Sequence, residues 1–458
     1  MHQLRLALVP AYVLFCLILG GGSGAGSLWP TMVLQLVALP IIAVALLTTP
    51  STPIPAPGRQ LIALLLAVVA VIALQIVPLP PSIWTGLPGR EPIANGFTAI
   101  GMDLPWLTLS LSPYATISSA LWLLPAAAVL FAILRLRAFK PGALAWTIVA
   151  VSAASVALGA LQVAGSAGWY LYAVTNQGAA VGFFANANHL ATLLICTLPF
   201  LTALYLRARA KAHGVQQQSG MLVVLAGAVA IVLVGLAVNR SLAGIGLALP
   251  VLTGCALMIL SRRGRKMPVW LVAIMPLLIA ASIAAVFSAP MGNNLIGEEA
   301  RSSEASRRTS FSRSLDASAD YLPAGSGIGS FQAIYRSHED PQTISRTFMN
   351  HVHSDYIELL LETGAPGIVV LLLFFVWWVR RALAIWRAEE RDNFAAAASI
   401  ASAAILAHSI VDYPLRTAAI SVVFALSLAL MAEPRPARRA HRAEEDGGKP
   451  RARHLTAD

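Results

Sequence analysis

Charge is scarce in this sequence. Of its 458 residues, 12% are Asp, Glu, Lys or Arg, where a soluble domain carries about 25%. That shortage excludes an ordinary cytosolic enzyme and a disordered tail protein. Cysteine is scarcer still. Cys16, Cys196 and Cys255 lie far apart, each inside an apolar run. No disulfide framework and no Cys-x-x-Cys metal site can be built from them. They read as small buried hydrophobes. The excess is apolar: 57% of residues are hydrophobic and the mean hydropathy is +0.72. This is the composition of a polytopic membrane protein. The net charge of +11 could instead mark a nucleic-acid surface, so its placement along the chain matters.

A membrane-crossing helix needs about 20 mostly apolar residues, and about twelve runs meet that need. They lie near 5–20, 31–48, 61–79, 117–134, 143–164, 189–206, 221–238, 242–260, 267–289, 367–386, 394–412 and 417–432. The first run, followed by Gly21 to Ser27, has the form of a signal peptide. A second apolar run follows at once, which favours an uncleaved first helix. With the N-terminus inside, 23 of the 32 Lys and Arg fall in inside segments and 9 outside. Every inside loop is basic, as cytoplasmic loops should be. The inside segments then total +15 and the outside segments −4. The positive excess is therefore a topology signal and an attraction to anionic lipid headgroups. A lipid bilayer is the expected partner, and nucleic acid is not.

The expected fold class is an all-α membrane protein of about 12 transmembrane helices. Residues 1–290 carry the first nine, 291–366 form one large outside loop containing short helices, and 367–432 carry the last three. The tail 433–458 is Arg-, Ala- and Glu-rich and reads as disordered. Two smaller outside loops cover roughly 80–116 and 165–188. A loop as long as 291–366 is usually functional or disordered. Its aromatic residues and the turn Gly325-Ser326-Gly327-Ile328-Gly329-Ser330-Phe331 favour order.

The residues able to carry chemistry gather at the outside ends of the spans. Asn350-His351-Val352-His353-Ser354-Asp355-Tyr356 places two histidines, an acid and a phenol within seven positions. Histidine exchanges protons near neutral pH. The structural alternative is a turn at a helix start, with Ser354 or Asp355 as N-cap. A zinc site on His351 and His353 lacks further ligands at metal spacing apart from the distant His338, so no metal is expected. Arg307, Arg308 and Arg313 offer forks suited to phosphate oxygens. The glycine turn lacks the strand, helix and Lys-Ser/Thr of a phosphate loop and reads as a turn. Asn239-Arg240-Ser241 interrupts two apolar runs, and a charge at that depth is usually functional or paired. Asn186, Asn188 and His189 open the sixth span. His408 and Asp412 sit four residues apart, on one face if the helix continues. Locking helices together is the stronger reading of that pair, and proton relay the other.

These segments resemble the O-antigen ligase and O-antigen polymerase family of bacterial membrane proteins. The resemblance runs in order through Gly182-Phe183-Phe184-Ala185-Asn186-Ala187-Asn188-His189, Asn239-Arg240-Ser241, and Arg308 and Arg313 ahead of the Gly325–Phe331 turn. It continues through His351 to Gly367 and through His408-Ser409-Ile410-Val411-Asp412-Tyr413-Pro414-Leu415-Arg416. Spans five to twelve are covered; the first four carry almost none of it. The family transfers glycans from a polyprenyl-pyrophosphate lipid on the outer face of the bacterial inner membrane. Its branches use lipid A-core, a growing polysaccharide or a protein as acceptor. The resemblance implies that His353 is the base activating the acceptor hydroxyl, and that Arg240 and Arg308 hold the pyrophosphate. Ser312 stands where the family's usual tryptophan precedes the second arginine, and the spacing to the glycine turn is one residue short. Arg307, Arg308 and Arg313 therefore stay open among themselves. His351, Asn188, His189, Asp355 and Tyr356 complete the candidate substrate-binding set, with no cofactor.

The chemistry agrees with that role. A pyrophosphate leaving group needs positive charge against its developing negative charge, not an acid. Arginines supply it without a metal, and the large loop has no Asp-x-Asp pair. One base then suffices, and direct displacement inverts the anomeric centre. The readings from other classes are a glycolipid transporter or flippase and a non-catalytic assembly subunit. A transporter would favour internal repeats and broken helices near the midplane; no repeat is visible, and the unusual residues collect outside rather than at midplane depth.

Overall fold

The computed structural model of the protein describes residues 2–23, 27–50, 53–165, 167–211, 215–260, 277–281, 283–284, 298–339, 341 and 349–433. They are mostly helical. The helices are α1 (His2–Leu19), α2 (Leu28–Leu47), α3 (Ala56–Gln75), α4 (Pro81–Trp84), α5 (Glu91–Ala99), α6 (Pro113–Leu121), α7 (Leu123–Phe131) and α8 (Pro141–Val163). There follow α9 (Ala187–Lys211), α10 (Val215–Asn239), α11 (Leu242–Leu260), α12 (Glu298–Tyr321), α13 (Phe331–Ser337), α14 (Asp355–Arg387), α15 (Asn393–His408) and α16 (Ala418–Ala432). Strand structure among the described residues is one antiparallel pair, β1 (Pro78–Leu79) with β2 (Leu107–Thr108).

Among the described residues, eight helical stretches are long and apolar enough to cross a membrane: Leu28–Leu47, Ala56–Gln75, Pro113–Leu136, Pro141–Val163, Ala187–Ala210, Ser219–Asn239, Leu242–Leu260 and Asp355–Arg387. Leu6–Leu19, Asn393–His408 and Ala418–Ala432 are apolar but shorter. Most of the run at 267–289 and all of the tail after 433 lie outside the described residues.

Helix α9 is the centre of the bundle, packed by α8, α10, α11 and α15. Its apolar window is 83% buried, against 17% for the peripheral α3. A helix apolar all round belongs in an interior or in lipid, and these two take the two alternatives. The close packing of α15 on α9 and α16 follows from composition. Ala395, Ala396, Ala397, Ala398, Ala401 and Ala404 are buried along α15, and small side chains let membrane helices approach closely. Cys196 of α9 reaches the Ala401 carbonyl at 3.5 Å. All three cysteines are buried and unpaired.

Helices α12 and α13 and the segment before α14 form a second, smaller core. Ala317, Tyr321, Phe331, Ile334, Tyr335, Val352 and Leu361 close it. Ser310, Ser314 and Ser318 line the buried stripe of the otherwise polar α12, which packs on α14. The break between the outer and the apolar parts of α14 falls at Gly364, with φ 56° and ψ −148°. A Cβ there would meet the Pro323 carbonyl oxygen at 2.2 Å, so only glycine fits.

Candidate functional site

The site sits where seven helix ends meet. Main-chain and side-chain hydrogen bonds join the C-terminal ends of α1, α10 and α15 to the N-terminal ends of α9, α11, α14 and α16. The Ala419 amide donates to the Gly20 carbonyl at 3.0 Å and the Ala185 amide to the Gly21 carbonyl at 3.1 Å. The Asp355 amide donates to the Ser409 carbonyl at 3.0 Å. At the other end of the bundle, arginines cap carbonyls: Arg381 donates to Met431, and Arg391 to Met258.

His353 and Arg240 share an uncommon backbone. They have φ of 61° and 60°, and with Arg137 they are the non-glycine residues at positive φ among those described. Such a conformation costs on the order of 1–3 kcal/mol and persists where the surroundings over-determine it. Around Arg240 the surroundings are its two neighbours. Asn239 is buried and its Nδ2 donates to the carbonyls of Ala180 (2.7 Å) and Ala187 (2.8 Å). Ser241 Oγ donates to Asn188 Oδ1 at 2.7 Å and accepts from the Gly244 amide at 3.1 Å. The turn is thus pinned to the start of α9, with Arg240 left exposed.

Around His353, the Val352 amide donates to Glu358 Oε2 at 3.1 Å, and Ser310 Oγ donates to the Val352 carbonyl at 3.4 Å. Ser354 occupies the N-cap position of α14 without capping it; its hydroxyl donates to the Ser409 carbonyl. His353 Nδ1 lies 3.4 Å from Asp412 Oδ1. The contact is an ion-pair approach without a formed hydrogen bond, and such contacts often tighten only in the reacting complex. The His353 side chain is 23% exposed and that of Asp412 is 0% exposed.

Asp412 serves a second histidine. His189 Nε2 is 4.0 Å from the same Oδ1, which also accepts from the Tyr413 amide at 2.8 Å. The Tyr413 ring lies among His189, His351 and His353, at centroid distances of 5.1, 4.5 and 5.0 Å. The four-residue spacing of His408 and Asp412 suggests a pair on one helix face, but α15 ends at His408. His408 Nδ1 instead meets Thr192 Oγ1 at 2.8 Å, and Asp412 turns toward the histidines of other elements.

His351 and His353 face different acids and share no ligand direction. His351 Nδ1 is 2.8 Å from Glu358 Oε1. Burial alone would lower its pKa, but the charge and hydrogen bond of Glu358 outweigh burial and the net direction is up. Asp355 Oδ2 accepts from Ser409 Oγ at 2.8 Å. The Tyr356 hydroxyl donates to the Leu406 carbonyl at 2.8 Å. Arg313 packs over the Tyr335 ring, 5.8 Å from its centroid. The side chains of Arg307 and Arg308, on α12, lie outside the described residues.

The glycine turn is a structural joint. Gly325, Gly327 and Gly329 all take positive φ. Amides that could face an anion are met by a carboxylate of the chain itself: Glu362 Oε1 accepts from Gly329 at 2.8 Å and from Phe331 at 3.4 Å. Gln75 clamps the other side, accepting from the Ile328 amide and donating to the Glu362 carbonyl, both at 2.9 Å. Sequence reasoning gave Glu358, Glu362 and Arg416 no role. Their spacing carried a signal, since Asp355, Glu358 and Glu362 recur at i, i+3 and i+7 on one helical face.

With the geometry in place, residues 218–372 match a family profile described as O-antigen ligase. That stretch is similar to the O-antigen ligase family. The match supports the O-antigen ligase/polymerase family proposed from the motifs, and it spans Arg240, Arg313, His351, His353 and Glu362. Asn188, His189 and Asp412 lie beyond the matched segment and reach it through the contacts above, and Arg416 reaches it through Glu362 Oε2 at 3.1 Å. A search of curated proteins finds no match to the chain.

Proposed function

We propose that the protein is an inner-membrane glycosyltransferase. It moves a glycan from an undecaprenyl-pyrophosphate carrier to an acceptor hydroxyl at the periplasmic face. The O-antigen ligase match supports the broad activity. One observation carries the finer reading: His353, held at positive φ, presents Nδ1 to buried Asp412, at the same end of the bundle as the pinned Arg240 turn.

With Nδ1–H turned to Asp412, Nε2 of His353 is the nitrogen that takes the acceptor proton. The acceptor oxygen attacks the anomeric carbon as its bond to the pyrophosphate oxygen breaks. The proton ends on Nε2, and Asp412 stabilises the imidazolium. The polyprenyl pyrophosphate departs with the extra negative charge, held by Arg240 and Arg308. The step inverts the anomeric centre and needs no metal. Asn188 supports the reading by tying the arginine turn to the start of α9, and His189 by lying beside the carboxylate that faces His353. Lipid A-core, a growing polysaccharide and a protein are the acceptor classes. Reconstitution with lipid-pyrophosphate glycan and each acceptor tests the reading. A single shift of core lipid or protein identifies a ligase, a ladder identifies a polymerase, and no transfer to any acceptor overturns the enzyme reading in favour of transport or assembly.

A further inference from the structure

Arg416 follows the last loop of the site, in a short 3-10 turn, Pro414–Arg416. Three carboxylates of α14 surround it. Its Nη2 lies 3.1 Å from Glu362 Oε2 and 3.3 Å from Glu358 Oε1, and its Nε lies 3.6 Å from Asp355 Oδ1. Burial alone would lower the guanidinium pKa, but the carboxylates outweigh it and raise it. An arginine so heavily neutralised is a poor phosphate ligand. Its planar fork is suited to holding several acids at fixed angles.

Two of those acids, Glu358 and Asp355, flank or hold the segment that presents His353, and the third holds the glycine turn. Glu358 accepts from His351 and from the Val352 amide. Asp355 begins α14 two residues after His353 and accepts from Ser409 Oγ. Glu362 holds the glycine turn. One cation therefore links, through three anions, both flanks of the strained His353 backbone and the joint beneath it. Without Arg416, three carboxylates would stand close together, and like charges at such distances repel or take up protons.

We propose that Arg416 is a positioning residue for His353, fixing the 351–355 turn through Glu358 and Asp355 and touching neither donor nor acceptor. This rests on the reading of His353 as the base. The test uses full-length protein in proteoliposomes, with undecaprenyl-pyrophosphate glycan and acceptor extracted from the producing cells. Arg416→Met is expected to lower kcat about tenfold or more while KM for the lipid donor moves less than about twofold. Glu362→Gln added to Arg416→Met restores the net charge of the hub and is expected to regain about threefold in kcat. Arg416→Lys keeps the charge but loses the fork, and is expected to fall between wild type and Arg416→Met. That variant carries the test if Arg416→Met does not fold.

Wild-type kcat in folded Arg416→Met, or in Arg416→Lys if that is the variant tested, overturns the proposal. So does a change confined to donor KM, which would place Arg416 on the donor. Absence of rescue by Glu362→Gln overturns the charge-balance argument. His353→Ala is measured in parallel. Full activity there overturns the base assignment and this proposal with it, whereas loss there beside wild-type kcat in the Arg416 variant overturns this proposal alone.

Discussion

Replacing Asp412 by Asn removes one charge with little change of shape. The Tyr413 amide donates to Asp412 Oδ1 at 2.8 Å, and an Asn carbonyl oxygen can accept the same bond, so the turn after α15 should hold. What disappears is the negative charge 3.4 Å from His353 Nδ1. A hydrogen bond to a charged group contributes about 1.5–3 kcal/mol. This one reaches full strength only when His353 has taken the acceptor proton, so the loss falls on the transition state. At about 1.4 kcal/mol per factor of ten, kcat should drop roughly 10- to 150-fold. Donor KM should stay near the wild-type value, because Asp412 is fully buried and acts through His353. The assay is the initial rate of glycan transfer in proteoliposomes, read by gel. Asp412 acts through His353, so the double variant His353→Ala, Asp412→Asn should be no slower than His353→Ala alone. A wild-type kcat for Asp412→Asn, or fully additive losses in the double variant, would rule out charge support of His353 by Asp412.

Four further outcomes are expected. Arg240→Ala should lower transfer about 100-fold or more, as loss of one donor to a developing oxyanion does elsewhere, with partial recovery in Arg240→Lys; donor-binding and rate measurements check it. The product should carry inverted anomeric configuration, read by NMR of the new linkage, and retention would rule out direct displacement. His351 has a raised pKa, so its pairing with Glu358 stabilises the fold fully below the ordinary histidine value of about 6.5 and loses that contribution as pH rises through the folded value. Thermal melts should therefore show wild type converging on His351→Gln as pH climbs from about 6. Gly364→Ala drives a Cβ to 2.2 Å from the Pro323 carbonyl oxygen at a φ that alanine disfavours. It should cost about 1–3 kcal/mol or abolish folded protein, measured by detergent-solubilised yield and melting.

Much of the site was legible because its residues break rules. Arg240 interrupts apolar runs, and His351 and His353 crowd into a loop, so each stands out against its neighbours. The apolar helices were legible from run length alone. Asp412 was visible but misassigned: its spacing from His408 implied one helix face, and the helix ends at His408, freeing the carboxylate for His353 and His189. Glu362 showed only in its helical spacing from Asp355 and Glu358, and Arg416 gave no local warning. They meet across 54 positions of sequence, and a pairing of that range is set by how α14 packs beside the turn before α16. The glycine turn read correctly as a turn, but that Glu362 would occupy its amides depended on the same packing. Asn188 showed as one of several polar residues opening a span, and its use in pinning Ser241 emerged only from the meeting of α9 with α11.

In the proposed reaction His353 removes the acceptor proton during transfer from a lipid pyrophosphate. The most direct measurement of that step is the single-turnover rate of His353→Ala against wild type, with purified undecaprenyl-pyrophosphate glycan, acceptor and matched amounts of folded protein. General-base catalysis is worth about 100- to 10,000-fold, so the variant should transfer at least about 100-fold more slowly while still binding donor. Transfer at the wild-type rate would contradict the account.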